Sequence, residues 1–295
     1  MNIDLEPGSY IVAVSGGVDS VVLLHVLQAV PNSTFIVAHY DHGIRPDSRI
    51  DRLHVQKLAR QYGLPFVFDE GHLGNGTSEA LAREARYDFL HTARKAAGAD
   101  AVVTAHHKDD LVETVIVNII RGTGRLGLGG VKNTDIVKRP FLHVTKADIL
   151  AHANKHQLQW REDSTNTDTN YLRNHIRHKV IPRLQDDAAH TLHVLATDTQ
   201  RLNQDIDHAL SAYLHAHANK GRLDARSFIL LPHAVAREVM AAWLRQHGIR
   251  SFDKKMLERL AHAAKIHKVG REVPINKTTV LRIYENYLAL EPRER

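Results

Sequence analysis

The chain has 295 residues, 43% hydrophobic and 24% charged, an ordinary globular balance, and at ~100–200 residues per domain it predicts two domains, or one large and one small. No run approaches the ~18 apolar residues of a membrane span, residues 1–6 are acidic and unlike a secretory signal, and cysteine is absent, which excludes disulfides, thiolate metal sites, iron–sulfur ligation and cysteine nucleophiles. The net charge of +6 is uneven, with 10 basic against 15 acidic residues over 1–120, 12 against 5 over 121–183 and 17 against 13 beyond. A cytoplasmic chain without membrane contact is expected, with a polyanionic partner near the basic middle block.

Residues 1–120 alternate short β-branched runs with helical stretches. Strands are expected at 10–14, 34–39, 65–68 and 101–104. Helices are expected at 18–27, about 47–62, 79–97 and about 108–121. The first of these helices is apolar almost all round, and the third ends at Gly98, a residue suited to a helix C-terminus. Continuous apolar strands alternating with helices predict an α/β fold, a parallel doubly wound sheet covered on both faces. Ligands of such sheets bind at the carboxyl ends of the strands.

A Gly-rich run over 121–130 then reads as a mobile loop, followed by an edge segment around 136–140. A helix over 145–155 opens with Thr145 and Asp148 spaced as a capping box. A polar stretch, 161–170, precedes a basic helix over 171–184. A domain boundary at Asp186 and Asp187 separates a domain over 1–186 from a mainly helical one over 187–295. The second domain should hold a long helix to about His217 and two shorter ones. One has Pro232 near its start and Val235, Val239 and Trp243 on one face. The other covers 253–264, and the last 25 residues alternate like a small hairpin. No internal repeat or low-complexity segment is evident.

Three constellations carry chemistry. The first is Ser15-Gly16-Gly17-Val18-Asp19-Ser20, between the first strand and the first helix. Two glycines let successive N–H groups curl around a phosphate at a helix N-terminus, with Ser15 and Ser20 adding hydroxyls. Asp19 would repel a bare phosphate, so a bridging cation is implied, most simply Mg²⁺. No Gly-Lys-Ser/Thr follows, so this is neither a Walker A loop nor a dinucleotide fingerprint.

The second constellation runs from His106 to Glu113 after the fourth strand. Asp109 and Asp110 fall in a first helical turn, where the dipole favours anions. Asp110 and Glu113, three apart, share a face and require a cation between them, a metal ion or a substrate ammonium. The third spans Asp163 to Pro182, where Arg173 and Arg177 at i, i+4 would present two guanidinium forks to phosphates or a nucleotide edge.

The Ser15–Ser20 loop resembles the pyrophosphate loop of the N-type ATP pyrophosphatases, which cleave ATP between the α- and β-phosphates. Taken together, the three constellations resemble the tRNA(Ile)-lysidine synthetase family within that superfamily. The segment Asp41-His42-Gly43-Ile44-Arg45, the 79–90 stretch with Arg83, Arg86 and Tyr87, and the loop Arg121-Gly122-Thr123-Gly124 match as well. The likeness covers 9–184 strongly and continues more weakly beyond, and longer family members carry a further C-terminal domain.

The resemblance implies an adenine-nucleotide α-hydrolase-like, Rossmann-like catalytic domain and a tRNA-binding helical domain. It implies a ligase that joins free lysine to C2 of the wobble cytidine of CAU-anticodon isoleucine tRNA, with ATP as co-substrate and Mg²⁺. Cytosine O2 attacks the α-phosphate, pyrophosphate leaves, and the lysine amine then displaces AMP. On this analogy Ser15, Gly16, Gly17, Val18, Asp19 and Ser20 bind ATP, and Asp19 holds Mg²⁺. Arg86 and His106 lie near the transition-state phosphate. Asp110 and Glu113 bind lysine, one of them taking its proton, with Asp19, Arg86, His106 and Asp110 forming the catalytic set. Arg121, Arg173 and Arg177 contact tRNA, and a homodimer is left open. A tRNA thiolase is rejected for want of cysteine. An ammonia-dependent synthetase and a non-catalytic RNA-binding relative remain as alternatives.

Overall fold

The computed structural model describes residues 1, 3–43, 48–71, 79–161, 172–184 and 187–293, without the side chains of Ser48 and Glu79. It divides into two compact units, Met1–Gln200 and Arg201–Arg295. No helix among the described residues is long and apolar enough to cross a membrane.

The first unit is built on a five-stranded parallel sheet of order β3-β2-β1-β4-β5. The strands are β1 (Ser9–Ala13), β2 (Thr34–Asp41), β3 (Phe66–Glu70), β4 (Ala101–Val103) and β5 (Val137–Lys138). The helices are α1 (Val18–Leu27), α2 (Ser48–Gln61), α3 (Glu79–Ala96), α4 (Lys108–Ile120), α5 (Arg125–Leu128), α6 (Lys146–Lys155) and α7 (Leu172–His175). Alternation along β1 divides the core. Tyr10, Val12 and Val14 join Val21, Leu24, Ile149 and Ala153 on the face covered by α1 and α6. Ile11 turns the other way, with Val102 and with Leu90 of α3. Burial on both faces explains why the strands read as continuous apolar runs. The order reverses between β1 and β4, the switch point at which open α/β sheets hold ligands.

Two segments differ from the sequence expectation. The Gly-rich loop contains a helical turn, α5. The basic helix is one α-helical turn, α7, that widens into a π turn at Ile176–Val180 and tightens to a 3₁₀ turn at Ile181–Arg183. Pro182 accounts for this, because it has no N–H to offer and its ring clashes with the carbonyl four residues back. Fully buried Ile176 anchors the distorted segment.

A long helix, α8 (Ala188–His217), carries the division between the units. The compact cut follows Gln200, whereas composition places the boundary at 186/187. Leu192 and Ala196 pack with Leu111 and Val115 of α4, and the Gln200 amide donates to the carbonyls of Gly129 (2.6 Å) and Val131 (3.0 Å). The first turns of α8 therefore belong with the sheet domain.

The second unit contains β6 (Ala218–Asn219), β7 (Arg222–Asp224), α9 (Ala225–Leu230), α10 (His233–Gln246), α11 (Lys254–Ile266), β8 (Glu272–Pro274), β9 (Thr279–Ile283) and β10 (Tyr287–Pro292). The expected terminal hairpin is present as β9–β10. It lies within a five-stranded antiparallel sheet of order β6-β7-β10-β9-β8. The pair β6–β7 closes on Lys220 and Gly221, both at positive φ (48° and 77°), the two-residue turn whose twist suits a hairpin. On α10, Val239 and Trp243 are buried with Ala236, Met240 and Leu244, but Val235 is 41% exposed. Each i, i+4 step drifts about 40° around a helix, so Val235 has left the buried stripe.

Candidate functional site

The loop after β1 is organised from within. Gly16 has φ +96°, a conformation that side chains with a Cβ rarely adopt. The buried Ser20 hydroxyl accepts from the Ser15 and Gly16 N–H groups, both at 3.2 Å, and donates to the Gly17 carbonyl at 2.9 Å. Its proton is thus committed to the loop, and Ser15, which is exposed, carries the outward hydroxyl. Gly17 caps α1 with no side-chain hydrogen bond, so no capping side chain covers the N–H groups at the helix N-terminus, an arrangement suited to an anion.

Asp19 follows in the first turn of α1, with its side chain 32% exposed. Lys146 Nζ binds its Oδ1 at 2.5 Å, and His107 Nε2 lies 3.9 Å from the same atom. Lys146 is the first residue of α6, where the dipole disfavours a cation; the Asp19 carboxylate explains its presence. Asp19 offers one hard oxygen donor beside a loop of N–H and hydroxyl groups. That suits Mg²⁺, which is commonly held by one or two carboxylates together with substrate phosphates.

The end of β4 supplies the second part. His107, 3% exposed, is the N-cap of α4, and its N–H donates to Asp110 Oδ2 at 3.0 Å. Its ring lies 3.4 Å from both Asp109 and Asp110. Burial opposes charge on this imidazole, but the neighbouring carboxylates of Asp109, Asp110 and Asp19 raise its pKa above the usual histidine range. Asp109 also accepts the Lys146 N–H at 2.9 Å, which ties α4 to α6.

Glu113, 1% exposed, lies one turn below Asp110. Arg177 grips it with both prongs, Nε to Oε1 at 2.5 Å and Nη2 to Oε2 at 2.9 Å, and reaches Asp110 Oδ1 at 3.0 Å. Arg173 Nε is 3.4 Å from Glu113, while its Nη2 donates to Thr114 Oγ1 at 2.7 Å. The cation required between the two acids is therefore an internal guanidinium. Burial raises the Glu113 pKa against the pull of Arg177 and Arg173. Asp110 moves the other way: burial resists, but His107, His106 and Arg177 hold its pKa low.

Beside this pair lies a group of arginines. Burial first, and then Arg83, Arg173 and Arg139, lower the pKa of Arg86. Arg83 and Arg139 both donate to the Tyr87 hydroxyl, at 3.5 and 3.3 Å, and Arg139 also donates to the Lys132 carbonyl. No carboxylate lies within salt-bridge distance of Arg86 or Arg139 among the described residues. Guanidinium groups such as Arg86 and Arg139, gathered without a carboxylate partner, are suited to an anion. His106, with Nδ1 at 2.8 Å from Thr104 Oγ1, is driven down to about 3 by burial and by these arginines, against the field of Asp110. Its imidazole is neutral at physiological pH.

The structure thus brings Asp19, Asp110, Glu113, Arg173 and Arg177 into one connected network at the β1/β4 switch point, with His106 and Arg86 beside Asp110 and Arg173. Arg121 is not part of it. That residue caps the far end of α4 and is exposed, eight residues or about 12 Å of helix beyond Glu113. Ile44, Arg45 and residues 163–171 lie outside the described residues. Sequence reasoning missed Lys146, Arg139 and the role of His107. Arg139 immediately follows β5 and so stands at a strand's carboxyl end, which was its available signal. For Lys146 the signal was a cation in a helix's first turn.

A family model, the PP-loop domain, matches residues 3–184. The chain belongs to the PP-loop family. Among curated relatives, this PP-loop chain is 39% identical over 223 residues to the tRNA(Ile)-lysidine synthase of Thermotoga maritima, which covers 68% of the chain and 54% of that protein. It is 34% identical over 266 residues to the enzyme of that name from Solibacter usitatus, covering 86% of the chain and 60% of the relative. The chain therefore spans a little over half the length of the curated relatives it matches. Among solved structures, the U34-tRNA thiolase NcsA from Methanococcus maripaludis, with its [4Fe-4S] cluster, superposes with a TM-score of 0.56 at 19% identity, over 67% of this chain and 73% of that one. That likeness supports the PP-loop fold.

Proposed function

We propose that this PP-loop protein forms lysidine, joining free L-lysine to C2 of the wobble cytidine of a CAU-anticodon isoleucine tRNA at the expense of ATP. The observation that carries the reading is the placement of His107, 3.9 Å from Asp19 of the anion loop and 3.4 Å from Asp110 of the acid pair. The glycine-rich loop and the Asp110–Glu113 pair thereby flank one point at the sheet's mouth, which supports a nucleotide beside a second, cationic substrate.

The division of labour follows from the local chemistry. The exposed Ser15 hydroxyl and the N–H groups at the α1 N-terminus would cradle the departing diphosphate. Mg²⁺, held by Asp19, would neutralise charge there. Arg86, in an acid-free guanidinium group, suits the α-phosphate oxygens as cytosine O2 bonds to phosphorus. The lysine ammonium would bind at Asp110 and Glu113, competing with Arg177 for the acids. Before attack on C2 the amine, with a free pKa near ~10.4, must lose a proton. Glu113, whose pKa is raised, is the stronger base of the pair. As the C2–N bond forms and the C2–O2 bond breaks, AMP leaves with that oxygen. The basic middle block, including Arg121, would follow the tRNA backbone.

The test is incubation of the protein with total tRNA, ATP, Mg²⁺ and labelled lysine. Label should enter a single isoleucine tRNA with one AMP formed per lysine. ATP cleavage that depends on ammonia and leaves tRNA unlabelled would replace this reading with that of a synthetase.

A further inference from the structure

A second cluster of chemical interest lies away from the mouth, at the opposite ends of α1 and α6. His25 stands in the last turn of α1, and His152 and His156 stand at i, i+4 in the last turn and C-cap of α6. One ring nitrogen from each lies within 4.8 Å of the others. The ring centroids are 5.3 Å apart for His25–His152, 4.8 Å for His25–His156 and 4.3 Å for His152–His156. The His25 ring is oriented through Nδ1 by the Tyr62 hydroxyl at 3.1 Å, the kind of outer partner that fixes metal-ligating imidazoles. His152 Nε2 is buried with no hydrogen-bond partner.

We propose that His25, His152 and His156 form a binding site for a divalent late transition-metal ion of the zinc class, which staples α1 to α6. Three imidazole nitrogens with no carboxylate in the cluster match Zn²⁺, Ni²⁺ or Co²⁺ and are a poor match for Mg²⁺. Zn–N bonds of about 2.0–2.1 Å in a tetrahedral site place ligand nitrogens roughly 3.3 Å apart. The ligand nitrogens therefore have to close by up to about 1.5 Å, a movement open to the exposed side chain of His156. Burial, and then the neighbouring rings, hold His25 and His152 below the usual histidine range, His152 at about 4. Both are therefore in the neutral, ligating form at pH 7.

The position gives the site a consequence. The first turns of the same two helices carry Asp19 and Lys146, paired at 2.5 Å. An ion joining their other ends would hold that pair in register without touching the mouth. The inference does not depend on which substrate the mouth accepts.

The experiment is titration of Zn²⁺ into the full-length chain after chelator treatment, at pH 7.5, with thermal denaturation in parallel and Co²⁺ as an absorption probe. One equivalent should bind, raise the unfolding midpoint and, for Co²⁺, give visible bands of low-coordinate nitrogen ligation. His152→Ala and His156→Gln should each weaken binding at least tenfold and abolish the midpoint shift. Should His152→Ala not fold, exposed His156→Gln alone decides. Absence of binding, or unchanged affinity and stoichiometry in His156→Gln, would overturn the site.

Discussion

The two compact units bury different kinds of residue. Among the described residues, the first buries His39, Asp41, Asp51, Thr104, His107, Glu113 and Arg139, whereas in the second Asn203 alone is a buried polar residue. The second unit closes over Trp243, Phe228, Met240 and Leu281 and keeps its ion pairs outside, as with Arg237–Glu258 and Arg282–Glu272. Buried charges are costly unless paired and hydrogen-bonded. In the first unit Thr104, His107, Glu113 and Arg139 place part of that cost at the ends of β4 and β5 and on α4, and His39, Asp41 and Asp51 place the rest on β2 and α2, whereas the second largely avoids it.

The sharpest break in this contrast is Trp243→Ala. Removing a fully buried indole should destabilise the second unit by about 3–5 kcal/mol. The chain has two tryptophans, so the remaining Trp160 reports on the first unit. Urea denaturation followed by far-UV circular dichroism should then show an early transition that Trp160 fluorescence does not follow. If the two signals move together, the units are one cooperative body and the contrast is merely local.

Asp19→Ala should produce the next largest effect, a fall of about 10²–10³ in tRNA-dependent AMP formation. Asp19 is one-third exposed, so circular dichroism and the unfolding midpoint should hardly change. Full activity in this variant would remove Asp19 from the diphosphate site.

The parallel sheet was legible in the sequence because its strands are buried on both faces and its helices have the matching period. The Ser15–Ser20 loop was legible because two glycines between strand and helix have few other uses. Four things were not. The β6–β7 hairpin is two and three residues long, too short for any period. The π turn at Arg177 reflects a proline five residues on, a tertiary accommodation invisible to propensity. The pairing of Arg177 with Glu113 joins positions 64 apart in sequence, so a spacing argument that correctly required a cation between two acids had no means of finding an internal one. Lys146 and Asp19, 127 apart, were missed for the same reason.

Glu113→Gln probes that hidden pair. It leaves Arg177 with Asp110 as its remaining carboxylate partner, and a cost of about 1–3 kcal/mol in urea denaturation is expected. The KM for lysine should rise more than that for ATP. An unchanged lysine KM with the stability loss intact would make Glu113 structural.

Acid should act on the first unit through His39. Its pKa is lowered by burial, against the fields of Asp41 and Asp51 and the bond to the Val14 carbonyl. Below about pH 6.5 the unfolded chain takes up a proton that the folded chain refuses. The contribution of His39 is therefore complete above that value and declines as pH falls toward the lowered folded pKa. The difference in unfolding midpoint between pH 7.5 and 5.5 should be smaller in His39→Asn than in the parent. No change in that difference would mean that His39 protonates in place.

The smallest effect belongs to Glu258→Gln, the same exchange of carboxylate for amide placed in the second unit. Glu258 accepts from His233 at 2.5 Å and Arg237 at 2.8 Å, and these bonds lower its pKa. Glu258 and His233 are exposed to solvent and Arg237 partly so, so water replaces whatever the amide cannot offer, and salt already screens the pair. The unfolding midpoint should therefore stay where it is, in low salt and in 1 M NaCl alike. A shift comparable to that of Glu113→Gln would show that the second unit also depends on charge, and that the difference between the two regions lies in where their ion pairs are placed rather than in how much stability those pairs carry.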